Sequence, residues 1–435
     1  MKKLKVLMVM VMILTMAAGA VWAGGGGDKA KSGDVTIRFS WWGANERNAR
    51  MNQLLDIFET QHPGIKISRE YSSWGDYWTK FTTQAAAGTH PDVSLHVMQS
   101  VQEYVNKGVL IPLDEYVASG KINVKDWSGT AISPGRINGK QYGIIYGLVA
   151  QGVLYNSKLI SDAGMAAPRD DWTYAEFKQY CLDLKKKLPA GVFASEGPAA
   201  SDHAVEIFMR SRGKSLYNAQ GNGLGFDKED LIEWWTLWED LRKAECVPGP
   251  ILAAELANAP YEQTLFGSNR AAMIWQNGNL IPTFQKLTSG EVFIVREPRS
   301  KLPGDFFQPT MFGISSKTKL VNESVIFIDW MVNELEPNLI FKAEYGVPGD
   351  PDVIKALEDI ASPVEKKNYQ FSSRIFADSA VPPSSARAEG SATIFDPIMR
   401  MVYEDISTEV ITIRAGVDRF FTEASAQLAR NKPNS

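Results

Sequence analysis

Hydrophobic positions change period several times along the chain, and each change marks an element. Val35-Thr36-Ile37-Arg38-Phe39-Ser40-Trp41 alternates apolar and polar residues, the period of a strand. From Asn45 onward Met51, Leu54, Leu55 and Phe58 follow the i, i+3, i+4, i+7 spacing of one helix face, until His62-Pro63-Gly64 stops it. A second strand is expected to start at residues 65–67 and a helix over 77–87, closed by Gly88. A strand over 92–97 and a helix over 101–106, with Gly108 at its end, come next. Strand–helix alternation of this kind predicts an α/β sheet with mostly parallel strands.

Residues 138–177 break that rhythm. An apolar run with the residue choice of a buried strand is interrupted at Gly147 and restarts at Val153-Leu154-Tyr155. Asn156 ends it, a helix begins at Lys158, and Gly164 stops that helix. Thr173 then stands as N-cap with Glu176 three residues on, the spacing of a capping box. A long apolar run that continues past a glycine fits a strand crossing between two lobes. Beyond it the pattern is helix-rich: residues 226–230 open a helix over 231–244 carrying Trp234, Trp235 and Trp238. A short strand is expected over 271–275, with Gly278 opening a helix. Phe312-Gly313-Ile314-Ser315 is a second candidate crossing, followed by a helix over 323–333 and a helical remainder over 337–428.

The ends and the composition narrow the class. Lys2, Lys3 and Lys5 precede an uncharged apolar core and small residues before Gly24, so residues 1–23 read as a secretory signal peptide. The core is shorter than the roughly 20 residues of a membrane span, and no cysteine near the cleavage point could carry a lipid anchor. Residues 24–33 form a flexible leader. These features predict a free protein of the periplasm. The remaining chain exceeds the roughly 250–300 residues at which a single core stops growing, so two lobes are expected. The net charge of −4 offers no basic excess for a nucleic acid or an anionic membrane. Cys181 and Cys246 could pair outside the cytoplasm or remain buried thiols.

Enzymatic signatures are missing. There is no G-x-S-x-G turn and no H-E-x-x-H pair. Gly213-Lys214-Ser215 lacks the first glycine of a phosphate loop, since Phe208 stands there, and Gly221-Asn222-Gly223-Leu224-Gly225 is followed by Phe226 rather than the last glycine of a dinucleotide turn. The four histidines lack metal-ligand spacing with the cysteines, so no metal and no cofactor are expected. Twelve tryptophans point instead to binding, because flat aromatic faces stack on sugar rings while amides and carboxylates take the hydroxyls. Trp42, Trp74, Trp78, Trp127 and Trp275 stand outside regular apolar stripes, whereas Trp234, Trp235 and Trp238 are expected in the core. For Trp42, just past a strand end, both a ligand role and a packing role are open.

Six short motifs then occur in a telling order: Ala86-Ala87-Gly88-Thr89-His90-Pro91-Asp92-Val93, Gly108-Val109-Leu110-Ile111-Pro112-Leu113-Asp114, Gly139-Lys140-Gln141-Tyr142-Gly143, Leu154-Tyr155-Asn156-Ser157-Lys158-Leu159, Trp172-Thr173-Tyr174-Ala175-Glu176-Phe177 and Phe266-Gly267-Ser268-Asn269-Arg270-Ala271-Ala272-Met273. In this order, behind a signal peptide, the chain resembles the extracellular solute-binding proteins of carbohydrate ABC importers, the group that includes maltose-binding protein. The resemblance implies a type II periplasmic binding protein fold: two α/β lobes joined by hinge strands, with the ligand cleft between them. It places the N-lobe at 34–148 plus 312–335 and the C-lobe at 152–308 plus 336–435, with crossings near 148–152 and 309–312. It implies no catalysis, a mono- or oligosaccharide ligand, ABC permease subunits as partners, and a monomer. Expected ligand contacts are Trp42, Asn45, Gln99, Ser100, Gln151, Asp202, Trp275, Asn277 and Asn279. Competing readings are a binding protein for a non-sugar solute such as a glycerophosphodiester, a secreted glycan-active enzyme, and a receptor feeding a sensor kinase.

Overall fold

Nine strands carry the architecture of the computed structural model, which describes residues 34–43, 45–256, 259–378, 380–381, 387–388 and 390–430. The expected signal peptide and leader lie outside these. The strands are β1 (Val35–Trp42), β2 (Ile65–Ser72), β3 (Val93–Val97), the short pair β4 (Arg136–Ile137) and β5 (Lys140–Gln141), β6 (Ile144–Asn156), β7 (Met273–Asn277), β8 (Val292–Val295) and β9 (Phe307–Ile314). The main sheet runs β2-β1-β3-β9-β6-β7, with β8 also on β6.

Only β2, β1 and β3 run parallel to one another. The pairs β3–β9, β9–β6, β6–β7 and β6–β8 are antiparallel, which corrects the expectation of a mostly parallel sheet. The cause is connectivity. β1, β2 and β3 are joined through helices Asn45–Gln61 and Trp74–Ala87, as parallel neighbours require. β6 and β9 enter the sheet from a different part of the chain and need no such crossover.

Gly147 does not interrupt β6, which is continuous over thirteen residues with a register irregularity between Ile145 and Gly147. Glycine is needed there because a Cβ would lie 2.5 Å from the Tyr345 carbonyl oxygen. The next residue explains the approach: Leu148 donates its N–H to the Val347 carbonyl at 2.7 Å and accepts from Val347 N–H at 2.9 Å. On its other side Leu148 pairs with Pro309 of β9. Three chain segments therefore meet at Leu148. Immediately beyond, β6 changes partners: Ala150 faces Phe307 of β9, whereas Gln151 faces Asn277 of β7.

There are two hydrophobic clusters, and the first runs across this change, from the β1–β3 side to Leu154, Ile274 and Ile294. In the first, Phe39 of β1 packs against Trp41, Phe312 and Phe327, with ring centroids 5.1, 5.8 and 5.1 Å apart. In the second, Phe177, Trp234, Trp238 and Trp275 gather on the far half of β6 and β7. Complete burial of one such side chain contributes about 1.5–3 kcal/mol. Residues beyond 335 still lean on the first half: Arg47 and Arg50 reach Glu344 at 3.5 and 3.4 Å, and Gln61 bonds Glu336 at 2.8 Å.

Local signals act where they were read. Glu176 Oε2 accepts Thr173 N–H at 2.7 Å while Thr173 Oγ1 accepts Glu176 N–H at 3.2 Å, and Asn156 caps helix Ser157–Asp162. Gly88 takes the left-handed conformation, φ +67°, that ends helix Trp74–Ala87. Cys181 and Cys246 are buried free thiols, with Cys246 Sγ 3.4 Å from the Cys181 carbonyl.

Candidate functional site

A cavity of about 490 Å³ opens beside β7, within the range of small-molecule sites. Separated pieces of chain build it: residues 196–201, Trp238 and Arg242 on helix Lys228–Lys243, residues between 247 and 265, Ile274–Gln276 of β7, and Arg400, Tyr403 and Glu404 on helix Arg400–Ser407. Tyr261 closes a further side. The 196–201 turn is held firmly. Glu196 N–H bonds the Met273 carbonyl at 2.9 Å, and both Trp234 and Trp235 donate their indole N–H to the Ala199 carbonyl, at 2.9 and 3.2 Å. Ser201 then caps helix Asp202–Ser211. Such a turn is preorganised, because its backbone groups are already committed.

The wall combines aromatic faces with polar ends. Trp238, Trp275, Tyr261 and Tyr403 supply the faces, and the indole N–H groups of Trp238 and Trp275 are buried without a protein acceptor. Burial pushes the Glu196 carboxyl above its ordinary range, opposed by backbone N–H groups of Phe266 and Leu265; the former donates at 2.7 Å. Arg242 grips Glu239 with Nε at 3.0 Å to both oxygens and Nη2 at 2.8 Å, and Tyr403 Oη reaches Glu239 at 3.2 Å. Flat faces, one amide and fixed carboxyls can hold a ring bearing hydroxyls.

Of the nine expected contacts, Trp275 alone lines this cavity. Gln151 and Asn277 sit opposite each other where β6 changes partners. Gln151 is buried beside Glu297, and burial together with the Asp305 charge raises the Glu297 carboxyl well above its usual range, eased by the Gln151 side chain. Asn279 is half-buried, with Oδ1 unpartnered. Asp202 is bound within the lobe: its carboxylate meets Arg387 at 2.5 Å and His203 Nδ1 at 3.1 Å. Burial pushes it up, but His203 and the Arg387 guanidinium hold it down at about 2; burial lowers His203 itself to about 4, so its ring is neutral near pH 7.

In the first half, Trp42 is 6% exposed and enclosed by Trp74, Tyr77, Trp78 and Tyr345, whose hydroxyl bonds the Trp42 carbonyl. Its neighbour Trp74 is 52% exposed. Asn45 is an exposed first residue of helix Asn45–Gln61, and Ser100 Oγ bonds the Val97 carbonyl at 3.3 Å. Gln99 lies in helix Met98–Asn106, and its side chain is outside the described ones. Sequence reasoning missed Glu196, Ser201, Gln276 and Tyr403. The one available signal was the run Ser195-Glu196-Gly197-Pro198-Ala199-Ala200-Ser201, small residues ending in a helix cap. Among the described residues no group of three or more His, Cys, Asp or Glu is arranged to hold a metal ion, and no helix is long and apolar enough to cross a membrane.

The fold is shared with solved structures. An extracellular solute-binding protein family 1 member from Alicyclobacillus acidocaldarius superposes with a TM-score of 0.76 at 22% identity, covering 91% of this chain and 99% of that one. The sugar-binding protein MalE from Xanthomonas citri gives 0.77 at 18% identity, covering 91% and 98%. An ABC substrate-binding protein from Listeria monocytogenes, solved with cycloalternan, gives 0.75 at 20%, covering 92% and 100%. The fold is therefore the two-lobe α/β fold of periplasmic binding proteins. In sequence, a putative binding protein of Brucella abortus (strain 2308) is 28% identical over 147 residues, 33% of this chain. That match spans about a third, 34%, of the relative's length. The family described as bacterial extracellular solute-binding protein matches residues 53–361, and the chain belongs to it.

Proposed function

We propose that the protein is the substrate-binding component of a carbohydrate ABC importer. It captures a mono- or oligosaccharide in the periplasm as a monomer, closes its lobes and presents the sugar to the membrane permease. The observation that carries this reading is the cavity beside β7, with aromatic faces and fixed polar groups on a preorganised wall. Its position next to the partner change at Ala150/Gln151 supports coupling between ligand and lobe closure. Gln151, Asn277 and Asn279 are assigned to the crossing side of the site, with the exposed Trp74 on the opposing lobe, where Trp42 backs it.

We keep the lobe boundaries of the sequence assignment at the first two crossings. We place the third at Gly346–Val347 rather than 335/336, because helix Leu335–Phe341 and Glu344 are tied to helix Asn45–Gln61. Closure is then a shift between open and closed populations driven by the ligand's preference for the closed one. A thermal-shift screen against a saccharide panel tests the proposal. A bound sugar at 100 times its Kd should stabilise the native state by about 2.7 kcal/mol. A shift only with phosphodiesters or amino-acid conjugates, or hydrolysis of the sugar, would remove the carbohydrate-transport reading.

A further inference from the structure

We infer that the cavity beside β7 selects neutral saccharides and rejects acidic ones, such as uronides and sugar phosphates. The inference rests on the carbohydrate reading above and adds the charge class of the ligand. Four charged side chains line the cavity: Glu196, Arg242, Arg400 and Glu404. Both guanidinium groups are already engaged by acids. Arg242 spends its fork on Glu239, with Glu409 at 3.4 Å as a second acid. Arg400 meets Glu404 at 3.3 Å one turn along the same helix. Glu196 stands without a cationic partner among the causes that set its proton affinity.

Two carboxylates and two guanidinium groups line the wall, and Glu239 and Glu409 stand behind Arg242 as further acids. A uronate or phosphate would want a bidentate arginine fork, and the Arg242 fork is turned to its own helix. A helix N-terminus is the other common anion site. On helix Asp202–Ser211 at the cavity edge, Ser201 Oγ accepts the Ala204 N–H and Asp202 Oδ1 that of His203, and the Asp202 carboxylate in the first turn offsets the positive end. What remains for a guest is neutral in character: the rings of Trp275 and Tyr261, the Gln276 side chain, and a Glu196 carboxyl whose raised proton affinity suits hydrogen bonding to a hydroxyl.

Isothermal titration of the mature protein with maltotriose, cellotriose and xylotriose, against trigalacturonic acid and glucose 6-phosphate, tests this. At least one neutral trisaccharide should bind at least tenfold more tightly than either acid. Its affinity should change less than twofold between 50 and 500 mM NaCl, since no ion pair to the ligand forms. Tighter binding of an acid overturns the neutral-ligand inference and leaves the carbohydrate reading standing. Failure of all five overturns the carbohydrate reading on which the inference rests. Glu239→Gln, which releases the Arg242 fork, should move the affinity ratio at least threefold toward trigalacturonic acid; an unmoved ratio overturns the role given to Arg242.

Discussion

Tryptophan is used in opposite ways in the two lobes. In the first, Trp41 is sandwiched between Phe39 and Tyr71, at 5.1 and 4.8 Å, and its indole donates to Asn48 Oδ1 at 2.9 Å. Trp42 is walled in by four further aromatic rings. In the second lobe, Trp234 and Trp235 spend their N–H groups on one carbonyl of the cavity turn, while Trp238 and Trp275, 0% and 7% exposed, border the cavity with indole N–H groups that find no acceptor among the described residues. The same side chain is thus wholly enclosed by other rings in one place and borders a void in the other. What separates the roles is the partner of the polar end and the presence of a void, not aromatic content.

The difference should show as opposite responses to mutation. The largest effect is expected for Trp42→Ala, which empties the middle of an aromatic cluster. It should lower stability by about 3–5 kcal/mol in urea denaturation, with the folded fraction keeping its sugar affinity within a few-fold. Trp275→Phe comes next: a loss of about 1–3 kcal/mol in stability, but at least a tenfold fall in affinity by calorimetry. If the two variants exchanged these signatures, the contrast between core and wall would be reversed.

A third prediction concerns the crossing. The unfolded chain releases the Glu297 proton near pH 4.5, whereas the folded protein keeps it to higher pH. The unfolded state therefore binds fewer protons above pH 4.5, and this residue makes stability fall as pH rises from there toward the folded-state value. Glu297→Gln should flatten that part of the melting-temperature profile, and the gap from the parent should widen with pH. Parallel profiles would place Glu297 in a wetter setting than its 4% exposure indicates. The smallest effect is expected for Trp74→Ala, within about 0.5 kcal/mol in stability because the ring is half in solvent, yet measurable in affinity if the first lobe contributes a stacking face.

Local structure was legible because its causes are local. Thr173 with Glu176, Asn156, and Gly88 each act within a few residues, and each does in the structure what its chemistry demands. Strand direction was not legible, since β9 joins β3 from more than 200 positions away and no short-range pattern records it. The four apolar residues of β8 carry no alternation to mark them as a strand. Gly147 resembled a break because the reason for a glycine, the Tyr345 backbone crossing above it, lies nearly 200 residues downstream. The cavity was the least legible part. Its wall is assembled from segments far apart in the chain, and Glu196, Gln276 and Tyr403 look like ordinary loop, strand and helix residues until the fold brings them together.

On the proposed function, a sugar held beside β7 draws the lobes together about Leu148–Gln151. Small-angle X-ray scattering of the mature protein, with and without a saccharide that raises its melting temperature, tests this directly. The saturated sample should have a smaller radius of gyration, and a non-binding sugar should leave it unchanged. An unchanged radius at saturation would contradict ligand-driven closure.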